Sequence, residues 1–255
     1  MKLAYREFGS GQPLIILHGL FGQSDNWNTL AKRFAESGFK VFTVDQRNHG
    51  LSPHSDIWSY QAMAEDLKEF IEEHQLLNPI LLGHSMGGKT VMFFEMLFPG
   101  IANKIVVADI APKVYEPHHD LVLKALNAVD FTEINTRKDA ENIMNEYISD
   151  FGTKQFLLKN IYWKEDESKH MAWRFNLPVI CKEYNNVSVN IPDGISRVDT
   201  LFVRGEKSNY VLDSDLPNIE KHFPNYKLTT IPNAGHWVHA EKPEEFFNSV
   251  LEFIQ

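Results

Sequence analysis

Short apolar runs and longer amphipathic stretches alternate along most of this chain. The apolar runs lie at residues 14–17, 41–44, 80–82, 105–108, 201–203 and 228–231. Their β-branched content and flanking turns read as strands buried on both faces, not as pieces of buried helix. Helical patterns lie between them. Residues 26–37 place Trp27, Leu30, Ala31 and Phe34 at helical spacing, and Gly38 follows as a C′ residue. Residues 60–74 collect Met63, Leu67, Phe70 and Ile71 on one face, with Glu65, Lys68, Glu69 and Glu72 elsewhere. Residues 243–253 repeat the pattern with Phe246, Phe247, Val250 and Leu251, and Pro243 sits at the helix start, where a missing N–H costs little. Strand and helix in alternation predict an α/β fold: a mostly parallel central sheet with helices on both faces.

One stretch breaks the rhythm. From residue 112 to 198 there is no strong strand signal, and the pattern is mainly helical, with candidates at 121–129, 137–148 and 154–161. That is far too long for an ordinary connection of a few residues. Its aromatic side chains (Phe151, Phe156, Tyr162, Trp163, Trp173, Phe175, Tyr184) argue for packing rather than disorder. The expected organisation is therefore a core of residues 1–111 and 199–255 interrupted by a helical cap insertion at 112–198.

Composition narrows the classes. The chain has 255 residues, 43% of them hydrophobic and 23% charged, which suits one ordinary globular α/β unit. A single cysteine, Cys181, rules out an intramolecular disulfide and fits a reducing compartment. The first residues lack the apolar core of a secretory signal, and no apolar run approaches the length of a membrane span, so a cytoplasmic protein without membrane insertion is expected. A net charge of −9 with no basic run disfavours nucleic acid as a partner.

The strongest chemical signal follows the run at 80–82. Gly83-His84-Ser85-Met86-Gly87 is a G-x-S-x-G pentapeptide with an apolar strand before it and a helical run after it (Thr90, Val91, Phe94, Leu97). In that context the pattern describes a sharp strand-to-helix turn that lifts a serine hydroxyl to the carboxyl edge of the sheet, with glycines where a side chain would clash. The helix that starts beneath it favours developing negative charge.

These residues, with His18-Gly19-Leu20-Phe21-Gly22, Asp45-Gln46-Arg47-Asn48-His49-Gly50-Leu51-Ser52-Pro53, Asp109-Ile110-Ala111-Pro112, Trp173-Arg174-Phe175-Asn176 and the segment from Gly235 to Pro243, give the chain a resemblance over nearly its whole length. It resembles the α/β-hydrolase superfamily, and within it the small bacterial YbfF-like serine esterases and their mitochondrial relatives. The resemblance implies the α/β-hydrolase fold and a serine hydrolase, with Ser85 as nucleophile.

A serine hydroxyl needs an adjacent base. Of eleven histidines, His236 follows the run at 228–231 directly and so belongs at the same sheet edge as Ser85; His239 is its nearest rival. The acid stays open between two positions. Most relatives place it after the run at 201–203, which falls near Ser208, where only Glu206, Asp213 and Asp215 are close. Asp109 ends the run at 105–108 and is favoured, because a carboxylate buried there needs a partner such as an imidazole N–H. Some branches of the superfamily take the acid from that strand. The backbone amides of Leu20 and Met86 fit an oxyanion hole, with Phe21 as substitute for Leu20.

His18, His49 and His84 read as residues bracing their loops, and Asp45 and Arg47 as stabilisers of their turn. Phe21, Trp173, Arg174 and Trp237 are the candidate lining of a substrate pocket, and Arg174 and Lys89 are the basic residues available to a polar leaving group or an acidic acyl tail. No metal or cofactor is expected: His118-His119-Asp120 has no third ligand at a telling spacing, and neither a P-loop nor a dinucleotide fingerprint occurs. Same-fold dehalogenases and epoxide hydrolases carry a carboxylate at the elbow, against which Ser85 stands. The expected reaction is hydrolysis of a small-molecule carboxylic ester or acyl thioester of short to medium acyl chain through an acyl-enzyme. Its rivals are a same-fold lyase or carbon–carbon bond hydrolase, and a small-molecule receptor on a hydrolase scaffold.

Overall fold

Seven strands form one sheet in the order β1-β3-β2-β4-β5-β8-β9: β1 Tyr5–Phe8, β2 Gln12–Leu17, β3 Phe39–Val44, β4 Ile80–His84, β5 Lys104–Ala108, β8 Asp199–Gly205 and β9 Tyr226–Ile231. The computed structural model describes every residue except 117–118 and 166–169. All neighbours in the sheet pair parallel except β1, which runs antiparallel to β3 at one edge. All six apolar runs lie within strands. β1 was not expected: Tyr5, Arg6 and Glu7 are exposed, so this edge strand carries no apolar run.

Side chains of successive strand residues go to opposite faces, and the core divides accordingly. Ile15, Leu17, Phe42, Leu81, Val107 and Phe202 pack on one face with α2 (Tyr60–Glu73), α3 (Met86–Leu97) and α8 (Leu216–His222). Leu14, Ile16, Val41, Leu82, Val106 and Val203 pack on the other with α1 (Asn28–Glu36), the short α9 (Val238–Glu241) and α10 (Pro243–Ile254). The helices start where the sequence supplies a cap: the Ser59 hydroxyl accepts from the Ala62 amide ahead of α2, and Pro243 opens α10.

Between β5 and β8 come α4 (Asp120–Ala128), α5 (Arg137–Met144), α6 (Phe151–Leu158), a hairpin of β6 (Ile161–Trp163) and β7 (Met171–Trp173), and α7 (Leu177–Lys182). The hairpin adds two short paired strands to a segment expected to be mainly helical. Strands of three residues are too short to show an alternation, and residues expected to close a helix at 161 open β6 instead. Leu126, Met144, Leu157, Ile161, Trp173 and Ile180 from this segment join the same buried cluster as one sheet face. Thr136 and Asp150 cap α5 and α6 through the amides of Asp139 and Thr153.

Register decides what gathers at the carboxyl edge. Leu17 pairs with Gly83, Gly83 with Val107, Ala108 with Val203 and Gly205 with Ile231. The residues that follow these ends, His18, Ser85, Asp109, Glu206 and the turn leading to His236, therefore share one rim.

Candidate active site

The rim carries two strained residues side by side. Ser85, between β4 and α3, has φ 52° and ψ −116°; Asp109, just after β5, has φ 52°. A non-glycine residue in such a conformation persists only where its surroundings over-determine it. Here the Ser85 amide donates to the Ala108 carbonyl at 2.9 Å and the Asp109 amide to the Val203 carbonyl at 2.7 Å, each reaching onto the neighbouring strand. Gly83 and Gly87 make the turn possible, since a Cβ on Gly83 would collide with the Gly87 carbonyl and one on Gly87 with the Leu17 carbonyl.

His236 lies between them. Its Nε2 is 3.0 Å from Ser85 Oγ and its Nδ1 is 2.8 Å from Asp109 Oδ2. An Asp109 carboxylate facing Nδ1 selects the tautomer in which Nδ1–H donates and Nε2 accepts from the serine hydroxyl. Asp109 is fully buried, and burial pushes its carboxyl up to about 7 against the opposing hydrogen bonds from Ser208 and Gly205. The Gly205 amide donates to Oδ1 at 3.0 Å, and the Ser208 hydroxyl donates to Oδ2.

Ser208 therefore stands at the position where an acid was weighed, and it hydrogen-bonds Asp109. The rival carboxylates are engaged elsewhere: Glu206 accepts from the Asn233 amide, Asp213 pairs with Arg204 at 2.8 Å and Asp215 with Lys113 at 2.6 Å. His239 is buried beneath the site, stacked on Trp27 at 4.2 Å, and burial pushes it well below the usual histidine range.

The loop bearing His236 is held from several sides. His84 Nε2 donates to the His236 carbonyl at 2.8 Å, and the Glu241 carboxylate accepts from the amides of Gly235 and Trp237. The ring of Tyr210 stacks on the imidazole at 3.7 Å and 17°. Nothing in the sequence marks Tyr210, a lone aromatic in a polar loop.

The remaining signature residues fill the loops next to the rim. His18 accepts from the Gln46 amide and donates to the Gly19 carbonyl, with burial holding it down at about 4. His49 donates to the Arg47 carbonyl and is pushed down to about 3 by burial. Asp45 accepts from the amides of Ser24 and Leu51, and Arg47 forms a two-pronged pair with Asp66 at 2.6 and 2.9 Å.

Leu20 and Phe21 are the central residues of a tight turn closed by the Gly22 amide on the Gly19 carbonyl at 2.9 Å, and Phe21 has φ 59°. The buried Asn160, just past α6, reaches down and donates to the Phe21 carbonyl at 2.8 Å. Nothing in the sequence marks Asn160, because a single Asn near a helix end reads as a cap.

Two cavities meet at Ser85. The smaller takes in Tyr60, Met86, Ile110, Tyr115 and Tyr184; the larger takes in Phe21, Val122, Phe156, Leu157, His236 and Trp237. Leu20, Ser85, His119 and Tyr210 belong to both. Phe21 and Trp237 thus lie where a pocket was expected.

Trp173 and Arg174 do not line either cavity. Trp173 is buried, stacked on Phe175 at 5.3 Å with its indole N–H toward the Leu126 carbonyl, and Arg174 lies over the Tyr162 ring at 4.2 Å. Both residues consolidate the hairpin region instead. Lys89 is also buried: its Nζ donates to the Lys113 carbonyl, and burial together with Lys113 pushes it down to about 7. Among the described residues, no three His, Cys, Asp or Glu side chains are grouped to hold a metal ion. His118 lies outside the described residues, and His119 hydrogen-bonds the Tyr184 hydroxyl. No helix among them is long and apolar enough to cross a membrane.

The profile of the alpha/beta hydrolase family matches residues 14–249. The chain belongs to the alpha/beta hydrolase family. Among similar proteins, this hydrolase is 35% identical to the esterase YbfF of Escherichia coli, over 96% of its own length and 94% of the relative's. It is 37% identical to the sn-1-specific diacylglycerol lipase of Mus musculus, over 94% and 80% respectively. A solved structure described as a marine microorganism esterase superposes with a TM-score of 0.96 at 44% identity, covering 99% of both chains.

Proposed function

We propose that this hydrolase is a serine esterase that cleaves small-molecule carboxylic esters or acyl thioesters through an acyl-enzyme on Ser85. The observation that carries the reading is the hydrogen-bonded chain from Ser85 Oγ to His236 Nε2, and from His236 Nδ1 to Asp109, on one rigid rim. The relatives named esterase and lipase, alike over most of their length, support the reaction class.

In this reading His236 takes the hydroxyl proton as Ser85 Oγ bonds to the acyl carbon, and the carbonyl electron pair moves onto oxygen. The amides of Leu20 and Met86 receive that oxyanion. Collapse of the intermediate breaks the bond to the alcohol or thiol, which leaves with the proton from His236. Water then enters, gives a proton to His236 and attacks the acyl carbon; the acid departs as Ser85 recovers its proton. Asp109 keeps the imidazole in the working tautomer and stabilises its charged form.

Residues 112–198 serve as a cap that shapes the site, and the aromatic side chains around Ser85 suit short to medium acyl chains. A single cysteine supports a cytoplasmic setting, and the acidic net charge supports small molecules over nucleic acid as partners.

Initial rates on p-nitrophenyl esters test the reading. The wild type should turn over repeatedly, and Ser85→Ala should lose about 10⁶ in kcat, the scale of nucleophile removal in a serine hydrolase. Equal rates in both proteins would show that Ser85 is not the nucleophile. A wild type inert on esters but active in carbon–carbon cleavage, or limited to a single turnover, would move the function to the lyase or receptor readings.

A further inference from the structure

The two cavities differ in a way that bears directly on acyl transfer. His236 and Trp237 line only the larger one, and Met86 lines only the smaller. When the acyl carbon is bonded to Ser85 Oγ it holds three other substituents: the oxyanion, the leaving oxygen or sulfur, and the acyl chain. The oxyanion turns to its donors. The leaving atom must come within hydrogen-bond reach of His236 Nε2, roughly 2.6–3.2 Å, because that nitrogen returns the proton to it. Whatever is attached to the leaving atom therefore extends along the His236 side, and the acyl chain takes the other direction.

We propose that the cavity of Val122, Phe156, Leu157 and Trp237 holds the alcohol or thiol of the substrate, and the cavity of Tyr60, Ile110, Tyr115 and Val187 holds its acyl group. The substrate class that fits is an ester or thioester joining a compact acyl group to a larger, apolar alcohol or thiol. The proposal rests on the serine-hydrolase reading above.

Volume and rigidity support the direction. The space on the His236 side is the larger of the two. The smaller space has walls that are fixed from behind. Tyr60 stacks on Phe93 at 5.0 Å, and Tyr115 stacks on Tyr210 at 5.4 Å. The Tyr115 hydroxyl accepts from the Ala111 amide at 2.7 Å and donates to the Tyr210 carbonyl at 2.6 Å, so the ring cannot swing aside to admit a longer chain. On the other side Val122 stands on α4, Phe156 and Leu157 stand on α6, and Phe156 packs against Trp237 with ring centroids 4.3 Å apart. Tyr210, which lies against the imidazole, lines both spaces together with Leu20, Ser85 and His119.

Two matched substrate series separate the cavities: acetate esters of alcohols from ethanol to octanol, and ethyl esters of acids from acetic to octanoic. For the wild type, kcat/KM should climb along the alcohol series and collapse early along the acid series. Val122→Trp should lower kcat/KM on octyl acetate by about tenfold or more while leaving ethyl butanoate within about twofold, and Val187→Trp should do the reverse. Val122→Ala and Val187→Ala, which widen the same two spaces, should shift each series the opposite way and serve if a tryptophan variant does not fold. A crossed pattern, with Val122→Trp suppressing the acid series, overturns the assignment while esterase turnover stands. So does equal suppression of both series by either variant. Absence of turnover on every ester, with Ser85 unlabelled by a fluorophosphonate, would instead bring down the serine-hydrolase reading itself.

Discussion

The rim of the sheet and the segment that runs from residue 112 to 198 are built by opposite means. At the rim, Ser85 and Asp109 hold φ values of 52° because backbone amides tie each to the next strand, and Gly83 and Gly87 leave no room for anything looser. The segment is held mainly by side chains. It buries Leu126, Met144 and Trp173, yet leaves Leu121 60% and Phe151 68% exposed. The difference teaches where each kind of control resides. Backbone strain locked by a sheet fixes reacting atoms to fractions of an ångström. In the proposed reading, side chains on the short helices of the segment shape what enters.

Substitutions on either side of that boundary can break the comparison. The largest effect in the supporting shell belongs to Asp109→Asn, which should cost about 10⁴ in kcat with KM little changed, the scale seen when a triad acid loses its charge. Its pH behaviour sharpens the point. Burial raises Asp109 from its ordinary 3.8 to about 7, so folding favours the protonated form. That contribution to stability is complete below about pH 4 and is lost as pH rises to about 7. Asp109→Asn, which never ionises, should therefore melt above the wild type at pH 8 and lose the advantage toward pH 4. Activity should run the other way, with wild-type kcat/KM falling as pH drops through about 7 and Asp109 takes up its proton. A wild type that melts higher than Asp109→Asn at pH 8 would contradict the buried, strained carboxylate.

A smaller effect is expected where the two regions touch. Asn160 crosses from the segment to the Phe21 carbonyl, next to the proposed oxyanion amide of Leu20. Asn160→Ala should lower kcat by about tenfold, less than the roughly 10²–10³ lost when an oxyanion donor itself is removed, and leave KM for a small ester nearly unchanged. A change in KM alone would mean that Asn160 only shapes the pocket.

Much of this arrangement is legible in the chain because the rim is local. The run at 80–82 and the G-x-S-x-G after it fix strand, turn and helix together, and the run at 105–108 ends directly on Asp109. His236 is readable for the same reason, one turn beyond β9. What escaped depends on contacts between distant residues. Neither Tyr210 nor Asn160 has a pattern of its own; their parts come from His236, twenty-six residues away, and from Phe21, a hundred and thirty-nine residues away. Trp173 and Arg174 sit within a conspicuous motif and suggest a pocket, but the hairpin turns them toward Phe175 and Tyr162. The edge strand β1 and the hairpin strands were hidden by exposure and by brevity.

The central claim is that Ser85 itself carries the acyl group. Rapid mixing with a p-nitrophenyl ester, followed by acid quench and intact-mass and peptide analysis, tests it directly. The expected result is a burst of about one p-nitrophenol per chain, with a matching mass increase that maps to the peptide bearing Ser85 and vanishes in Ser85→Ala. An acyl adduct on another residue, or steady turnover by Ser85→Ala at the wild-type rate, would contradict it.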